Sequence, residues 1–499
     1  MATKNRSNRA RLSPAGEDTP ATAESAQALA DAFIRDALGE GRVRLRLLDR
    51  LCAMATHHDP EVARAGVQAL YATIVEGLCD DFSDTGVRTC NLVLLRVLSF
   101  VTGQPDGREI AAALAPCGPD WAEALLRRYE RLRTPRPLPA ATREQVRKAV
   151  VLSRVSAGAD VAVTSVIVQR LLAALPRAEI VLAGPGHLED FFAGHPRLRC
   201  LRLDYPRQGG PLADRFAHWP RLAELIAREA EGLENGQLLL FDPDTRLSQL
   251  GLLPVMAEGQ TWYFSSRTNP MTDREPSLPE LANVWLDRVL AAENPAAPRL
   301  FLPAGMMAAA RDCCARLRER GAEAVLVVNL GVGNNPRKRL PGPFEEELLA
   351  ALLKARGKSV ILLDTGGDSE EKERILSLVA AMGRQGFPIG SLAQEEMAGW
   401  HPPFAHGVIG FDGSLGALAA LISQADGFCG YDSCGQHLAG AVGTPAVIVF
   451  AGAPNPRFFA RWRSPAPTTA TVRVEAPPAA ASERAGLIEA IVSRLHSPL

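Results

Sequence analysis

The sequence predicts an α/β protein of two facing Rossmann-like domains with parallel sheets, preceded by an all-helical domain. Three observations carry this expectation. From Lys148 onward, short β-branched runs alternate with helical runs, the order that builds a parallel sheet with helices on both faces. The alternation starts afresh near Ala324, so there are two such units. Ahead of them, residues 25–132 carry only the three- and four-residue apolar spacing of helices.

In chain order, residues 1–24 are polar and lack the apolar stretch of a signal peptide, so a disordered tail is expected there. The all-helical domain is expected over 25–133. Leu29, Ala32 and Phe33 share one helical face, Leu45, Leu47, Leu48 and Leu51 another, and Asp59-Pro60-Glu61 is a helix start with Asp as N-cap. His57-His58 precede that cap and read as solvated loop. Residues 134–146, opening with TPRPLPAA, are expected to form a stiff Pro-rich linker, which would leave the helices as a separable docking module. The first Rossmann-like domain is placed at 147–315, with strands near 148–155, 179–183, 198–203 and 237–241. The second is placed at 316–499, with strands from Ala324 and near 359–364, 407–411 and 446–450, and a closing helix at 483–495.

With 499 residues, 47% of them hydrophobic and 22% charged, the chain can fill several cores. Its net charge of −1 supplies no global field for nucleic acid or an anionic membrane, so any attraction for phosphate must be local. The nine cysteines show neither a CxxC pair nor zinc spacing, which suits a reducing cytoplasm and argues against cysteine-held metal. The uncharged run 438–456 is broken by Gly440, Gly443, Pro445 and Gly452, so it reads as helix, turn and strand rather than a membrane span. A peripheral contact with a membrane surface stays open.

The stretch 426–452, DGFCGYDSCGQHLAGAVGTPAVIVFAG, organises the rest. A small-residue loop holds Asp432, Ser433 and His437, and Gly435 permits a helix to begin inside it. The first N–H groups of that helix and its dipole make an anion site. Thr444-Pro445 ends the helix before a buried strand, a nucleotide-site plan. After the strand at Ala324, Gly331, Gly333, Asn334 and Asn335 lead into Arg337-Lys338-Arg339, where flexible backbone and three cations can grip a pyrophosphate. The same pattern also fits a solvated basic loop, and it matches neither the Walker pattern nor GxGxxG. Asp160, and Asp242, Asp244 and Arg246, fall beyond the carboxyl ends of strands in the first unit, where ligands lie in such folds. Plainer readings stand beside these: Asp160 and Asp432 as helix caps, and His437 as a packed core histidine.

The C-terminal half resembles the bacterial heptosyltransferase family, glycosyltransferase family 9, and the likeness reaches back to about Lys148. Asp432-Ser433-Cys434-Gly435-Gln436-His437 approximates the family's Asp-Ser/Thr-Gly-x-x-His motif, with Cys434 in place of its glycine. Lys338-Arg339-Leu340-Pro341 is similar to the Lys-x-Trp-Pro donor loop, with Leu for Trp, and Gly413-Ser414-Leu415 to the turn beside the base. Glu371 ends a glycine and acidic stretch where a Glu can hold the ribose. The resemblance implies a GT-B fold binding a nucleotide sugar through Gly333, Asn335, Lys338, Arg339, Glu371, Gly413, Ser414, Leu415, Asp432, Ser433, Cys434, Gly435 and His437. It implies Asp160 as catalytic base, although Ala159 separates it from Gly158, and Asp242, Asp244 and Arg246 on the acceptor side. No metal and no cofactor beyond the sugar donor are expected. The implied activity is transfer of a heptose-like or other hexose unit from a nucleoside diphosphate to a hydroxyl of a glycan or lipid-linked acceptor, in cell-envelope glycan synthesis at the cytoplasmic face. The alternatives are a non-catalytic nucleotide-sugar-binding or assembly protein whose helices recruit a partner, and a GT-B epimerase.

Overall fold

The computed structural model describes residues 23–206, 210–267, 275–333 and 335–496. The expected tail thus lies almost wholly outside the described residues, as does Asn334.

Two parallel sheets form the frame. The first has the order β3-β2-β1-β4-β5, from strands β1 (Lys148–Leu152), β2 (Glu179–Gly184), β3 (Leu198–Arg202), β4 (Leu238–Asp242) and β5 (Thr261–Tyr263). Every pairing in it is parallel. The second has the order β12-β11-β10-β6-β7-β9-β8. Its strands are β6 (Ala324–Asn329), β7 (Ser359–Asp364), β8 (Ile389–Ala393), β9 (Gly407–Asp412), β10 (Gly427–Tyr431), β11 (Ala446–Ala451) and β12 (Thr469–Val474). It too is parallel throughout. The α/β class and the helical N-terminal region follow the sequence reading, and so do the strands built from continuous apolar runs. Such runs are what a sheet covered on both faces requires.

Alternate residues of a strand point to opposite faces, and the core divides accordingly. On β1, Ala149 and Val151 join an apolar cluster that runs on through the helix Ser165–Ala174 to Val325 and Val327 of β6, so the two units share packing. Val150 and Leu152 join the cluster that holds the N-terminal helices. Those helices are Ala23–Ile34, Leu45–Ala55, Pro60–Gln68, Glu76–Asp80, Asp84–Thr102, Arg108–Leu114 and Trp121–Leu132. Asp59 accepts from the Glu61 amide and caps its helix as expected.

The Pro-rich stretch corrects one expectation, because it is packed rather than free. The Leu138 amide donates to the Val289 carbonyl at 2.7 Å. The Arg136 guanidinium sits 4.3 Å from the centre of the Trp262 ring and donates to the carbonyls of Glu258, Gly259 and Thr261. Arg131 makes a two-pronged pair with Glu258, 2.8 Å at each end. The helices are therefore fastened to the first unit and share a core with it. The helical run 157–174 is long and apolar enough to cross a membrane by composition, but 78% of it is buried inside the protein.

Candidate active site

A ligand crevice in a parallel sheet opens beyond the carboxyl ends of strands, where neighbouring strands send their chains to opposite sides. In the second unit that place lies between β6 and β10, since β6 leads on to β7 and β10 to β11 on the other side. Most residues singled out from the sequence are in the loops after these strands.

Ser433 has extended backbone and the helix Cys434–Val442 starts directly after it. Its hydroxyl is not used as a cap; it donates to Asn329 Oδ1 at 3.1 Å, and Asn329 Nδ2 donates to Asp364 at the end of β7. Burial pushes the Asp364 carboxyl up to about 6. Gly435 lets the helix lie close to the sheet, since a Cβ there would stand 2.6 Å from the Phe428 ring. With no side-chain cap at Ser433, the first-turn amides of this helix have no partner within it.

Lys338 arrives from the β6 loop. Its Nζ lies 2.7 Å from Asp432 Oδ2, donates to the Asp432 carbonyl at 3.1 Å and sits 5.5 Å from the centre of the Phe458 ring. Asp432 also accepts from Gln436 Nε2. Its carboxyl is raised by burial, against the pull of Lys338 and Gln436. Asp432 thus holds Lys338 at the helix start and does not cap the helix. Arg339 is half-buried near Glu345. Asn335 Oδ1 accepts from the Arg337 amide and shapes the turn Pro336–Lys338, while Gly333 is exposed with φ of 57°. His437 is buried, its imidazole pushed down to about 3 by burial and by Lys338, and its ring centre lies 6.0 Å from that of Trp462. The ring is thus packed against Trp462.

Glu371 reaches the same loop from the helix Ser369–Arg384, accepting from the Val332 amide at 2.7 Å. Gly367, with φ of 120°, gives it room. Ser414 caps the helix Leu415–Gln424 through the Ala417 amide, and its own amide donates to Gln394 Oε1 at 2.7 Å. Gly413 packs on the Phe411 ring, Leu415 is half-buried, and burial drives the Cys434 thiol well above its ordinary value.

The first unit departs further from expectation. The turn after β1 does face the second unit, since a Cβ on Gly158 would lie 3.1 Å from His437 Cδ2 and 3.4 Å from Cys434 Cα. Yet Asp160 is 0% exposed and both its oxygens are taken, by Ser153, Arg154 N, Thr164 and His187. It offers no free oxygen to an acceptor, and neither does it cap a helix. Asp244 is likewise enclosed: Arg267 grips it at 3.0 and 3.1 Å and Ser266 donates at 2.6 Å. Burial opposes its charge, but Arg267 and Arg154 hold its carboxyl below the ordinary value. Asp242 accepts from the amides of Asp244 and Thr245, and burial pushes it up to about 6. Arg246 is half-buried beside Cys79 and Cys90 of the helices. The Asp242 and Asp244 side chains thus brace loops, and the expected acceptor-side residues are turned inward rather than exposed.

The sequence reading missed His187 and Asp190, on the helix His187–Phe192 after β2. Asp190 lies against Ser414 and Gly416 of the second unit. The signal that could have found them was Gly184-Pro185-Gly186-His187, a breaker-rich turn with a polar residue at the end of a strand. Among the described residues no group of three His, Cys, Asp or Glu side chains is placed to hold a metal ion.

Residues 412–483 match the family model of glycosyltransferase family 9 (heptosyltransferase). The match includes 413–415 and 432–437, so the resemblance found in the sequence holds there. Among solved structures, a glycosyltransferase of family 9 from Veillonella parvula is 14% identical, with 66% of this chain and 86% of that one covered and a TM-score of 0.47. The ADP-heptose LPS heptosyltransferase II of E. coli is 15% identical over 70% of this chain and 100% of its own, with a TM-score of 0.44. E. coli heptosyltransferase WaaC with ADP is 14% identical over 70% and 99%, with a TM-score of 0.43. No sequence among curated proteins matches the chain.

Proposed function

We propose that the protein transfers a sugar from a nucleoside-diphosphate donor to a hydroxyl of a glycan or lipid-linked acceptor. The observation that carries this reading is that the family-9 match falls on β10 and the helix start at Cys434, at the switch point of the second sheet, and on the turn at 413–415 after β9. The sheet geometry and the family match are independent, and both select the loop after β10.

The chemistry asked of such a site is displacement of a nucleoside diphosphate by an acceptor oxygen. The negative charge that develops on the departing diphosphate needs fixed positive partners. Lys338, held at the helix start by Asp432, and the first-turn amides of Cys434–Val442 supply them, with Arg339 alongside. Glu371, which holds the Val332 amide of the β6 loop, would take the ribose, and 413–415 the base. We read the reaction as metal-independent on the strength of these groups, and the protein as a cytoplasmic one meeting its acceptor at the inner membrane face. Calorimetric titration with ADP, GDP and UDP, followed by release of nucleoside diphosphate from the matching sugar donors with a membrane glycolipid extract as acceptor, tests the proposal. Binding of none of the three would remove it. Binding without turnover on any donor would favour the second reading, a nucleotide-sugar-binding assembly protein, for which the enclosed Asp160 is the motive.

A further inference from the structure

Two carboxylates and one imidazole lie where the first unit touches the second, and of the Asp160–His187 pair only the imidazole is reached by solvent. Asp160 is 0% exposed, whereas the His187 side chain is 16% exposed, with Nε2 2.8 Å from Asp160 Oδ2. The surrounding hydrogen bonds set the proton positions. Ser153 Oγ accepts from the Val155 amide at 2.8 Å, so its own proton goes to Asp160 Oδ2 at 2.6 Å. The Arg154 amide and the Thr164 hydroxyl donate to Oδ1 at 2.8 and 2.7 Å. With Ser153, the Arg154 amide and Thr164 all donating to the carboxyl, Oδ2 faces His187 as an acceptor, so Nε2 carries a hydrogen and donates it. The neutral ring then has its lone pair on Nδ1, which takes no bond from the described residues.

Position agrees with this. His187 opens the helix His187–Phe192 from the β2 turn, and Asp190 of that helix reaches Ser414 and Gly416, while the β1 turn that holds Asp160 touches Cys434 and His437. The pair therefore sits beside the starts of both second-unit helices assigned above to the donor.

We propose that His187 takes the acceptor proton and that Asp160 is its positioning residue. The inference rests on the sugar-transfer reading of the site. In the step, the acceptor O–H bond breaks and its proton passes to Nδ1 as the oxygen forms a bond to the anomeric carbon. The bond from that carbon to the diphosphate breaks with its electron pair on the leaving group, and the imidazolium returns the proton to water. Asp160 fixes the tautomer and offsets the imidazolium charge. The charged groups around His187 are Asp160 from the β1 turn, Glu189 and Asp190 from its own helix and, against Gly186, Arg202 from β3.

The test uses the full chain, the sugar donor turned over fastest among ADP-, GDP- and UDP-sugars, and a glycolipid extract. His187→Gln is expected to lower kcat by about 10²–10⁴-fold with nucleoside-diphosphate affinity unchanged. Asp160→Asn is expected to lower it too and to displace the acid limb of the kcat profile, which a bracing role would not do. Histidine ¹⁵N NMR of the wild type, free of any ligand, is expected to show His187 protonated on Nε2 when neutral, and Asp160→Asn to change its titration. Turnover of His187→Gln within a few-fold of wild type, or protonation of Nδ1 in the neutral wild type, overturns the assignment. If the wild type binds but turns over no donor, the sugar-transfer reading falls and the proton step with it, and the NMR result tells this apart from an unpaired imidazole.

Discussion

Lys338 meets the site with its charge already paired, and that affects what its removal would do. A donor phosphate would share the ammonium with Asp432, 2.7 Å away, so Lys338→Ala removes a phosphate partner and also strands a carboxylate that is 3% exposed. The double variant Lys338→Ala/Arg339→Ala is expected to weaken nucleoside-diphosphate binding by about 1.5–3 kcal/mol for each charge-assisted hydrogen bond removed. Calorimetry on a folded double variant with wild-type affinity would exclude both as clamps. His437 yields a prediction about stability. Its folded value, pushed down to about 3, lies below an unfolded value of about 6.5. Between those limits the unfolded chain binds a proton that the folded chain does not, so stability falls as pH falls, by up to about 1.4 kcal/mol per unit. Asp242 and Asp364, pushed up to about 6, act with the opposite sign from about pH 6 down to their unfolded range near 3.9. His437→Gln is expected to flatten the drop in Tm between pH 7 and 5 relative to wild type; an unchanged slope by calorimetry would mean that His437 takes up its proton in the folded state.

At the scale of elements, the unit β10, helix Cys434–Val442 and β11 was legible because its constraints are local. Small residues, a glycine inside the loop and Thr444-Pro445 at the end each dictate backbone on their own, and Gly443 ends the helix with φ of 78°. Gly435→Ala would put a Cβ 2.6 Å from the Phe428 ring, and this misfit is expected to cost about 1–3 kcal/mol, read as a lower Tm. A Tm equal to wild type would show that Phe428 can retreat. Other elements were not legible. The helix Asp214–Glu229 carries Pro220, which reads as a breaker until the burial of Phe216, Trp219 and Leu222 is known. β5 is only three residues long, and β8 is largely exposed, so neither makes a continuous apolar run. In the candidate site, the loops of the second unit could be read from composition, because phosphate chemistry calls for glycine, cations and helix starts in sequence. The pairing of Asp160 with His187 spans 27 positions and two separate turns. No local pattern encodes it, and the acid expected to act alone was accordingly assigned a task that its burial denies.

At the scale of the whole molecule, the turn after the helix Glu76–Asp80 touches both α/β units. Asn455 Nδ2 donates to the Asp80 carbonyl at 3.1 Å, and Arg461 lies 5.8 Å from the centre of the Phe82 ring. Arg461, itself fully buried, pairs with Glu275 at 3.2 Å and donates to the Pro276 carbonyl at 2.8 Å. On the other side, Tyr129 meets Tyr263 at 5.6 Å between ring centres, and Arg128 donates to the Gly251 carbonyl at 3.1 Å. The helices thus close one flank of the first unit and tie it to the second. A chain beginning at residue 140 would uncover the apolar surface that they share with Phe216, Trp219, Leu250 and Tyr263. Each large side chain left open forfeits about 1.5–3 kcal/mol, so a few of them match the roughly 5–15 kcal/mol by which a domain is stable. The truncated protein is therefore expected to aggregate or to melt without a cooperative transition, as read by size-exclusion chromatography and calorimetry. The contrary result, a monomeric fragment that melts cooperatively and binds nucleoside diphosphate as the full chain does, would make the helices a dispensable docking module and the packing at Phe82 and Tyr129 incidental to the fold.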